Sequence, residues 1–540
     1  MSSWNIGDIL SAIGPVLGEE PALVHSSADG SARILSWREV DRRTNALARA
    51  FVDGGAKPGD KVAIYAYNRP EWLEAVAACF KARLVPVNVN YRYRDEELLY
   101  LLDNSDAVVL VFEGIFAENA ARLAARLPAL RMLVRLEDGG AACEGALDYD
   151  ALVAGPSDPL EIERSPDDLL LLYTGGTTGM PKGVMWRQED VFRTLGGGAD
   201  PLSAAGRPAT LAEHVANVIA GTNKQRLLPA CPVMHGTGLF TAINALMNGG
   251  SVVTVDSRTF RAHALWSAVE RHEVSAIAIV GDVFARPMVQ ALDEKAYDLS
   301  SLRLIISSGV MWSIELKKAL LAHHPQMLLF DSLGSSEATG LGASVMGVGI
   351  EVETASFKVG DRVKVITEDG REVAPGSGER GLVARSGPIP VGYYKDPEKT
   401  AKTFRTIGGV RYSMPGDFAT VETDGTLRLL GRGSACINTG GEKVFPEEVE
   451  EVLKRHPDVE DAATVGLSDP HWGQAIHSLV VLRPGGSAGE AELRDHVREH
   501  LAAYKVPRRV FAVDSLGRSP SGKMDYKGVT ARMHELVGRA

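Results

Sequence analysis

Hydrophobic and polar positions switch between helical and strand spacing repeatedly in the first half of the chain. Residues 36–53 put Val40, Ala46, Leu47 and Phe51 at helical intervals, a turn follows from Gly54 to Gly59, and 61–67 reads as a strand. The alternation continues with a helix over 71–83, a strand over 84–89, a helix over 95–103 and a strand over 107–112. Further on come a helix over 211–219 inside an irregular insertion at 196–226, a strand over 251–255, a helix over 262–272 and a strand over 276–280. A strand over 302–311 runs into a glycine loop, where open α/β sheets bind ligands. Strands that alternate with helices predict parallel sheets covered by helices. After Val363 the elements become short strands punctuated by Asp369-Gly370, Pro375-Gly376 and Asp424-Gly425, which predicts a small β-rich subdomain. Last come a helix over 446–456, strands over 462–467 and 478–482 and a helix over 491–501, a compact α+β module.

Composition narrows the class. A chain of 540 residues is too long for one hydrophobic core, so a large domain and at least one smaller one are expected. A net charge of −11, with no cluster of lysine and arginine, argues against a nucleic-acid partner. Cys79, Cys143, Cys231 and Cys436 stand singly, with neither metal-ligand spacing nor disulfide density. The N-terminus lacks a basic region followed by an apolar core, no window reaches the length of a membrane span, and the last residues carry no peroxisomal tripeptide. A cytoplasmic protein without integral membrane association is expected.

The chemistry concentrates in residues 169–185. Four leucines make a short apolar strand, and Thr174 to Gly183 then supplies threonines, four glycines and one lysine. Glycine lets backbone N–H groups approach an anion closely and permits positive φ, expected here at Gly175, Gly176, Gly179 and Gly183. Thr174, Thr177 and Thr178 add hydroxyl donors and Lys182 a flexible positive charge. The P-loop of nucleotide hydrolases is a different pattern, because Gly183 follows Lys182 and no glycine precedes it. Downstream, Ser336 and Glu337 close the run Asp331-Ser-Leu-Gly-Ser-Ser-Glu; a carboxylate beside a hydroxyl suits a hard cation near phosphates, whereas Ser-x-x-Glu alone would be a helix cap. His235 ends Pro232-Val-Met-His and is open to a structural or a substrate-facing role.

Together these stretches closely resemble, in order and spacing over nearly the whole chain, the signatures of the adenylate-forming superfamily of acyl-CoA synthetases, luciferases and peptide-synthetase adenylation domains. The resemblance implies that Thr174, Gly175, Gly176, Thr177, Thr178, Gly179 and Lys182 hold ATP phosphates. It implies adenine contacts from Gly309 and Val310, further nucleotide contacts from Asp331, Lys443 and Arg432, an α-phosphate contact from Ser336, and an Asp417 carboxylate that accepts both ribose hydroxyls. Glu337, with Thr174, would hold Mg2+; His235 would line the acyl pocket; Leu333 stands where relatives usually place an aromatic residue on adenine. Gly431-Arg432-Gly433-Ser434 resembles the superfamily hinge with Ser434 as pivot. It divides an N-terminal adenylation domain, 1–431, from a small mobile C-terminal domain, 432–540. In the latter, Gly440, Gly441 and Glu442 fall where relatives line the CoA tunnel, and Lys523, in Arg518-Ser-Pro-Ser-Gly-Lys, where they carry the catalytic lysine.

The implied protein is an α/β enzyme that joins a small-molecule carboxylic acid, bulky or long and hydrophobic, to CoA at the expense of ATP, releasing AMP and pyrophosphate through an acyl-adenylate. The segments 174–190 and 334–337 look most similar to bacterial synthetases for bulky acids such as steroid side-chain carboxylates. Medium- or long-chain fatty acids come next and aryl-alkanoic acids third. A reading of another class, a catalytically silent nucleotide-binding scaffold, would be favoured by loss of Lys523, Glu337 or Lys182, and all three are present. A homodimer is compatible with everything read from the sequence.

Overall fold

The computed structural model describes residues 4–174, 180–199, 206–309, 312, 314–350, 352–353, 356–432, 437–444, 446–517 and 526–539. Two compact units emerge: Met1–Tyr91 with Leu102–Tyr173 and Gly183–Leu430, and Arg92–Leu101 with Thr174–Lys182 and Gly431–Ala540.

The first unit holds two large sheets. One runs in spatial order Ala338–Met346, Leu328–Ser335, Leu304–Ser308, Ala276–Ile279, Arg226–Pro229, Ser251–Val255, Pro21–Ser26 and Ala32–Ser36. Its inner pairs are parallel and both edge pairs are antiparallel. The other runs Gly392–Tyr393, Lys182–Arg187, Leu169–Thr174, Val85–Asn88, Lys61–Tyr65, Ala107–Glu113, Met132–Leu136 and Leu147–Asp148. It is parallel from Leu169–Thr174 through Leu147–Asp148 and antiparallel at the Gly392–Tyr393 edge. Val363–Ile366, Gly381–Ser386, Phe404–Ile407, Val410–Ser413 and Asp417–Val421 form, with Ser356–Phe357 and Leu427–Arg432, a separate small sheet of antiparallel pairs. This is the expected mixed architecture, helix-covered with a β-rich appendage.

Local sequence explains the helices that cover the sheets. Trp37–Asp53 starts where the Ser36 hydroxyl accepts the Glu39 N–H at 3.2 Å, and it buries Trp37, Val40, Leu47, Ala48 and Phe51 along one face. Pro70–Lys81 is buried on every side, with proline at its first turn. Its charged residues therefore require partners. Glu74 accepts from Arg43 and from the Tyr149 hydroxyl at 3.0 Å, and Lys81 donates to Asp41 at 2.5 Å. Burial alone would raise the Glu71 carboxyl, but Arg69 and Arg33 outweigh it and hold it at about 2.

In the second unit, Glu442–Val444, Ile437–Thr439, Gly473–Leu482 and Val459–Asp469 form an antiparallel sheet to which Arg509–Ala512 adds in parallel. The helices Pro446–Arg455 and Glu490–His500 lie against a core of Val449, Leu453, Ile476, Val480, Leu493 and Val497. Glu97 and Lys505, both almost without exposure, pair at 2.7 Å inside this unit.

Candidate active site

The strand Leu169–Thr174 is buried from Leu170 to Tyr173 and ends in half-exposed Thr174. Gly175, Gly176, Thr177, Thr178 and Gly179, the expected phosphate turn, lie outside the described residues. Lys182 opens the returning strand, Lys182–Arg187. Gly183 behaves differently from the sequence expectation: it lies within that strand and does not take positive φ. Its glycine answers a packing need, because a Cβ there would stand 2.6 Å from Tyr173 Cε2 and 2.7 Å from Leu171 Cδ2.

Asn88, at the end of Val85–Asn88, clamps the strand that leads into the turn. Its amide donates to the Tyr173 carbonyl at 2.9 Å and its Oδ1 accepts the Tyr173 N–H at 2.6 Å. The same amide donates to the Met234 carbonyl at 2.6 Å, so the residue before His235 is tied to the residue before Thr174. His235 itself precedes the helix Gly236–Met247 in extended conformation, half-buried and without a side-chain cap bond to that helix.

Glu337 is closely held. Leu328–Ser335 and Ala338–Met346 form an antiparallel hairpin, so Ser336 and Glu337 occupy its turn and do not cap a helix. The buried Trp186 indole donates to the Ser336 carbonyl at 2.9 Å. The Ser413 hydroxyl donates to the Glu337 carbonyl at 2.6 Å, and the Tyr393 hydroxyl to Glu337 Oε1 at 2.8 Å. Tyr393 pairs with Val184 across the edge of the second sheet, so the strand returning from the phosphate turn is linked both ways to the Ser336-Glu337 turn. Backbone and carboxylate are thus oriented independently.

Other expected nucleotide contacts also lie in the first unit. Gly309 follows Leu304–Ser308 with φ of +99°, a conformation glycine adopts without penalty, while the Ser308 hydroxyl donates to the Ser332 carbonyl at 2.8 Å. Val310 lies outside the described residues. Asp331 is buried within Leu328–Ser335 and accepts from Lys317 at 2.9 Å; burial raises its carboxyl above the usual aspartate value although Lys317 opposes this. Asp417 opens Asp417–Val421, buried, four residues after the Ser413 that holds Glu337. Leu333 packs against the small-sheet core of Ala338, Leu341 and Val363.

The second unit presents its expected residues in a tight hairpin. Gly440 and Gly441, at φ of +58° and +81°, are the two-residue turn between Ile437–Thr439 and Glu442–Val444, a geometry that demands glycine-like residues. The Gly440 N–H donates to the Trp472 carbonyl at 2.9 Å, and a Cβ on Gly440 would meet Trp472 Cε3 at 2.9 Å. Glu442 is buried and paired with Arg92. Arg432 and Lys443 lie in strands. Ser434 and Lys523 lie outside the described residues.

In the first unit His235, Gly309 and Glu337 come after the strands Arg226–Pro229, Leu304–Ser308 and Leu328–Ser335, each of which has a parallel neighbour, the usual side for a ligand in such sheets; Thr174 is the last residue of its own strand. The fixed Glu337 carboxylate suits a hard divalent cation. Sequence reasoning missed Asn88, Trp186, Tyr393 and Ser413. Their only signals were an aromatic two residues after Gly183-Val184 and a Gly-Tyr-Tyr run at 392–394.

Residues 16–394 match the AMP-binding enzyme family and 448–523 the AMP-binding enzyme C-terminal domain. A 3-oxocholest-4-en-26-oate--CoA ligase of Rhodococcus rhodochrous is 42% identical over 97% of this chain and 95% of its own. A medium/long-chain-fatty-acid--CoA/3-oxocholest-4-en-26-oate--CoA ligase of Mycobacterium tuberculosis is 44% identical over 91% of this chain and 90% of its own. In fold, the chain is similar to the amide bond synthetase McbA from Marinactinospora thermotolerans, with a TM-score of 0.78 at 24% identity over 97% of this chain and 99% of that one.

Proposed function

Because the chain belongs to the AMP-binding enzyme family and acts as an AMP-forming acid–thiol ligase with ATP and CoA as co-substrates, we propose that its acid is bulky and hydrophobic, of the steroid side-chain class. What supports the catalytic reading is that His235, Gly309 and Glu337 come after parallel strands of the first unit, with Glu337 held by Tyr393 and its turn by Trp186. The substrate class is supported by the activities named for the two relatives above. Medium- or long-chain fatty acids are the second reading, since the mycobacterial relative's name carries both substrates. We assign residues 1–431 to adenylation and 432–540 to a turning C-terminal domain, in a cytoplasmic enzyme. No helix among the described residues is long and apolar enough to cross a membrane.

A carboxylate is a poor electrophile, so the acid is first activated. Its oxygen attacks the α-phosphorus in line, pyrophosphate leaves with the bond's electron pair, and an acyl-adenylate remains. Two anions must meet, and the protein's work is positioning and neutralisation. In this reading the turn from Thr174 to Lys182 cradles the phosphates, Gly309 and Val310 border adenine, and Asp417 accepts the ribose hydroxyls. Ser336 contacts the α-phosphate while Arg432 and Lys443 add charge, and Lys523 stabilises the charge that develops on the α-phosphate. The Glu337 carboxylate, with Thr174, fits Mg2+, which when bound neutralises phosphate charge. His235 lines the acyl pocket. The CoA thiolate then attacks the acyl carbonyl and AMP departs. Turning about Ser434 exchanges Lys523 for the Gly440, Gly441 and Glu442 face, so one site serves two reactions.

A CoA-dependent screen of AMP release across steroid, fatty and aryl acids tests the substrate. Turnover greatest with steroid side-chain carboxylates is expected. Preference for medium- or long-chain fatty acids would move the assignment to the second reading, and preference for aryl acids would overturn both.

A further inference from the structure

The C-terminal end of Glu490–His500 gathers side chains that the proposed mechanism does not use. We propose that His496, Glu499 and His500 form a binding site for a first-row divalent cation of zinc type.

Positions i, i+3 and i+4 share one helix face, and one ligand atom from each of these three residues lies within 4.8 Å of the others. The imidazole hydrogen bonds fix the tautomers. His496 Nε2 lies 3.1 Å from the Val452 carbonyl oxygen, and His500 Nδ1 lies 2.8 Å from the His496 carbonyl oxygen. A carbonyl only accepts, so each of these nitrogens carries its proton. Nδ1 of His496 and Nε2 of His500 consequently keep their lone pairs in the neutral rings. A ring whose second N–H rests on a carbonyl is the arrangement that orients histidine toward a metal.

The surroundings add to this. The two rings stand 4.5 Å apart, and the site lies in the last helical turn, where the backbone dipole favours positive charge. His456 packs edge-on against His496 at 5.1 Å but is otherwise engaged: its Nδ1 accepts the Asp458 N–H at 3.2 Å and its Nε2 faces Glu492 at 3.5 Å. Arg498 on the same turn pairs with Asp495. Two imidazoles and one carboxylate match the preference of Zn2+ over Mg2+, with solvent completing the coordination beside exposed Glu499.

The test is calorimetric titration of the chelator-stripped full-length chain with Zn2+ alone, without ATP or CoA. One saturable event is expected, weakened about tenfold or more in His500→Ala and also weakened in Glu499→Gln. Zn2+ should raise the unfolding midpoint of the parent chain more than that of His500→Ala at the same concentration. Absence of saturable binding, or parent-like affinity in either variant, overturns the proposal. Should His500→Ala unfold early in chelator, Glu499→Gln decides the outcome, because that exposed side chain can be changed without disturbing the His496 bond to Val452.

Discussion

Glu337 and Gly440 are both expected to face substrate, and they are secured by different means. Glu337 owes its place to residues far away in sequence: Trp186 holds its turn, Ser413 its carbonyl and Tyr393 its carboxylate. Gly440 owes its place to backbone conformation, a positive φ in a two-residue turn, with one N–H bond to Trp472. A long-range scaffold forms only when the first unit's sheets are complete, so damage there should spread through the whole unit. A turn is a local device, and damage there should stay local. The allocation suits the proposed chemistry, which asks the first unit to hold a transition state and the second to change partners between half-reactions.

The largest expected effect separates those half-reactions. Lys523→Ala should lower acid-dependent ATP–pyrophosphate exchange by about 10²- to 10³-fold, by analogy with the loss of one preorganised charge-stabilising group. The same variant should still transfer a chemically supplied acyl-adenylate to CoA; loss of both activities would remove the division of labour. Next, Gly183→Val forces branched bulk against Tyr173 and Leu171 and should destabilise the first unit by roughly 1 to 3 kcal/mol in denaturant unfolding. An unchanged midpoint would mean that the strands separate more easily than their spacing implies.

Gly440→Ala should cost about 1 to 2 kcal/mol at its turn, because alanine resists the left-handed conformation. Thioester formation should slow while pyrophosphate exchange keeps its parent rate, and equal loss of both would make the turn structural only. The smallest effect is expected for Tyr393→Phe. Removing one hydrogen bond to Glu337 should cost about 0.5 to 1.5 kcal/mol, read as a higher requirement for Mg2+ in exchange assays with little change in unfolding midpoint.

Much of the fold could be read from spacing. The helix Leu211–Ile219, the strand Ser251–Val255 and the helix Ala262–His272 fall within the expected bounds, because their apolar positions repeat cleanly between turn residues. The helix Ile6–Leu17 was not legible, since Gly7, Gly14 and Pro15 interrupt its pattern while Asn5 and Gln188 supply its N-terminal hydrogen bonds. Local rules also gave Ser336 and Glu337 a helix-capping alternative, which the antiparallel pairing of the flanking strands excludes. The site's chemistry was legible where one short run carries it, as from Thr174 to Gly183. Its scaffold was not, because Trp186 reaches 150 residues and Tyr393 56 residues along the chain to their partners, and no local pattern encodes such a meeting.

The central claim is that ATP is cut between its first and second phosphates to activate a carboxylic acid. A product count in one reaction with ATP, CoA and a steroid side-chain acid tests it most directly. AMP, pyrophosphate and acyl-CoA should appear in equal amounts, and none should form when the acid is left out. Release of ADP in place of AMP, or AMP formation that persists without any acid, would contradict the account.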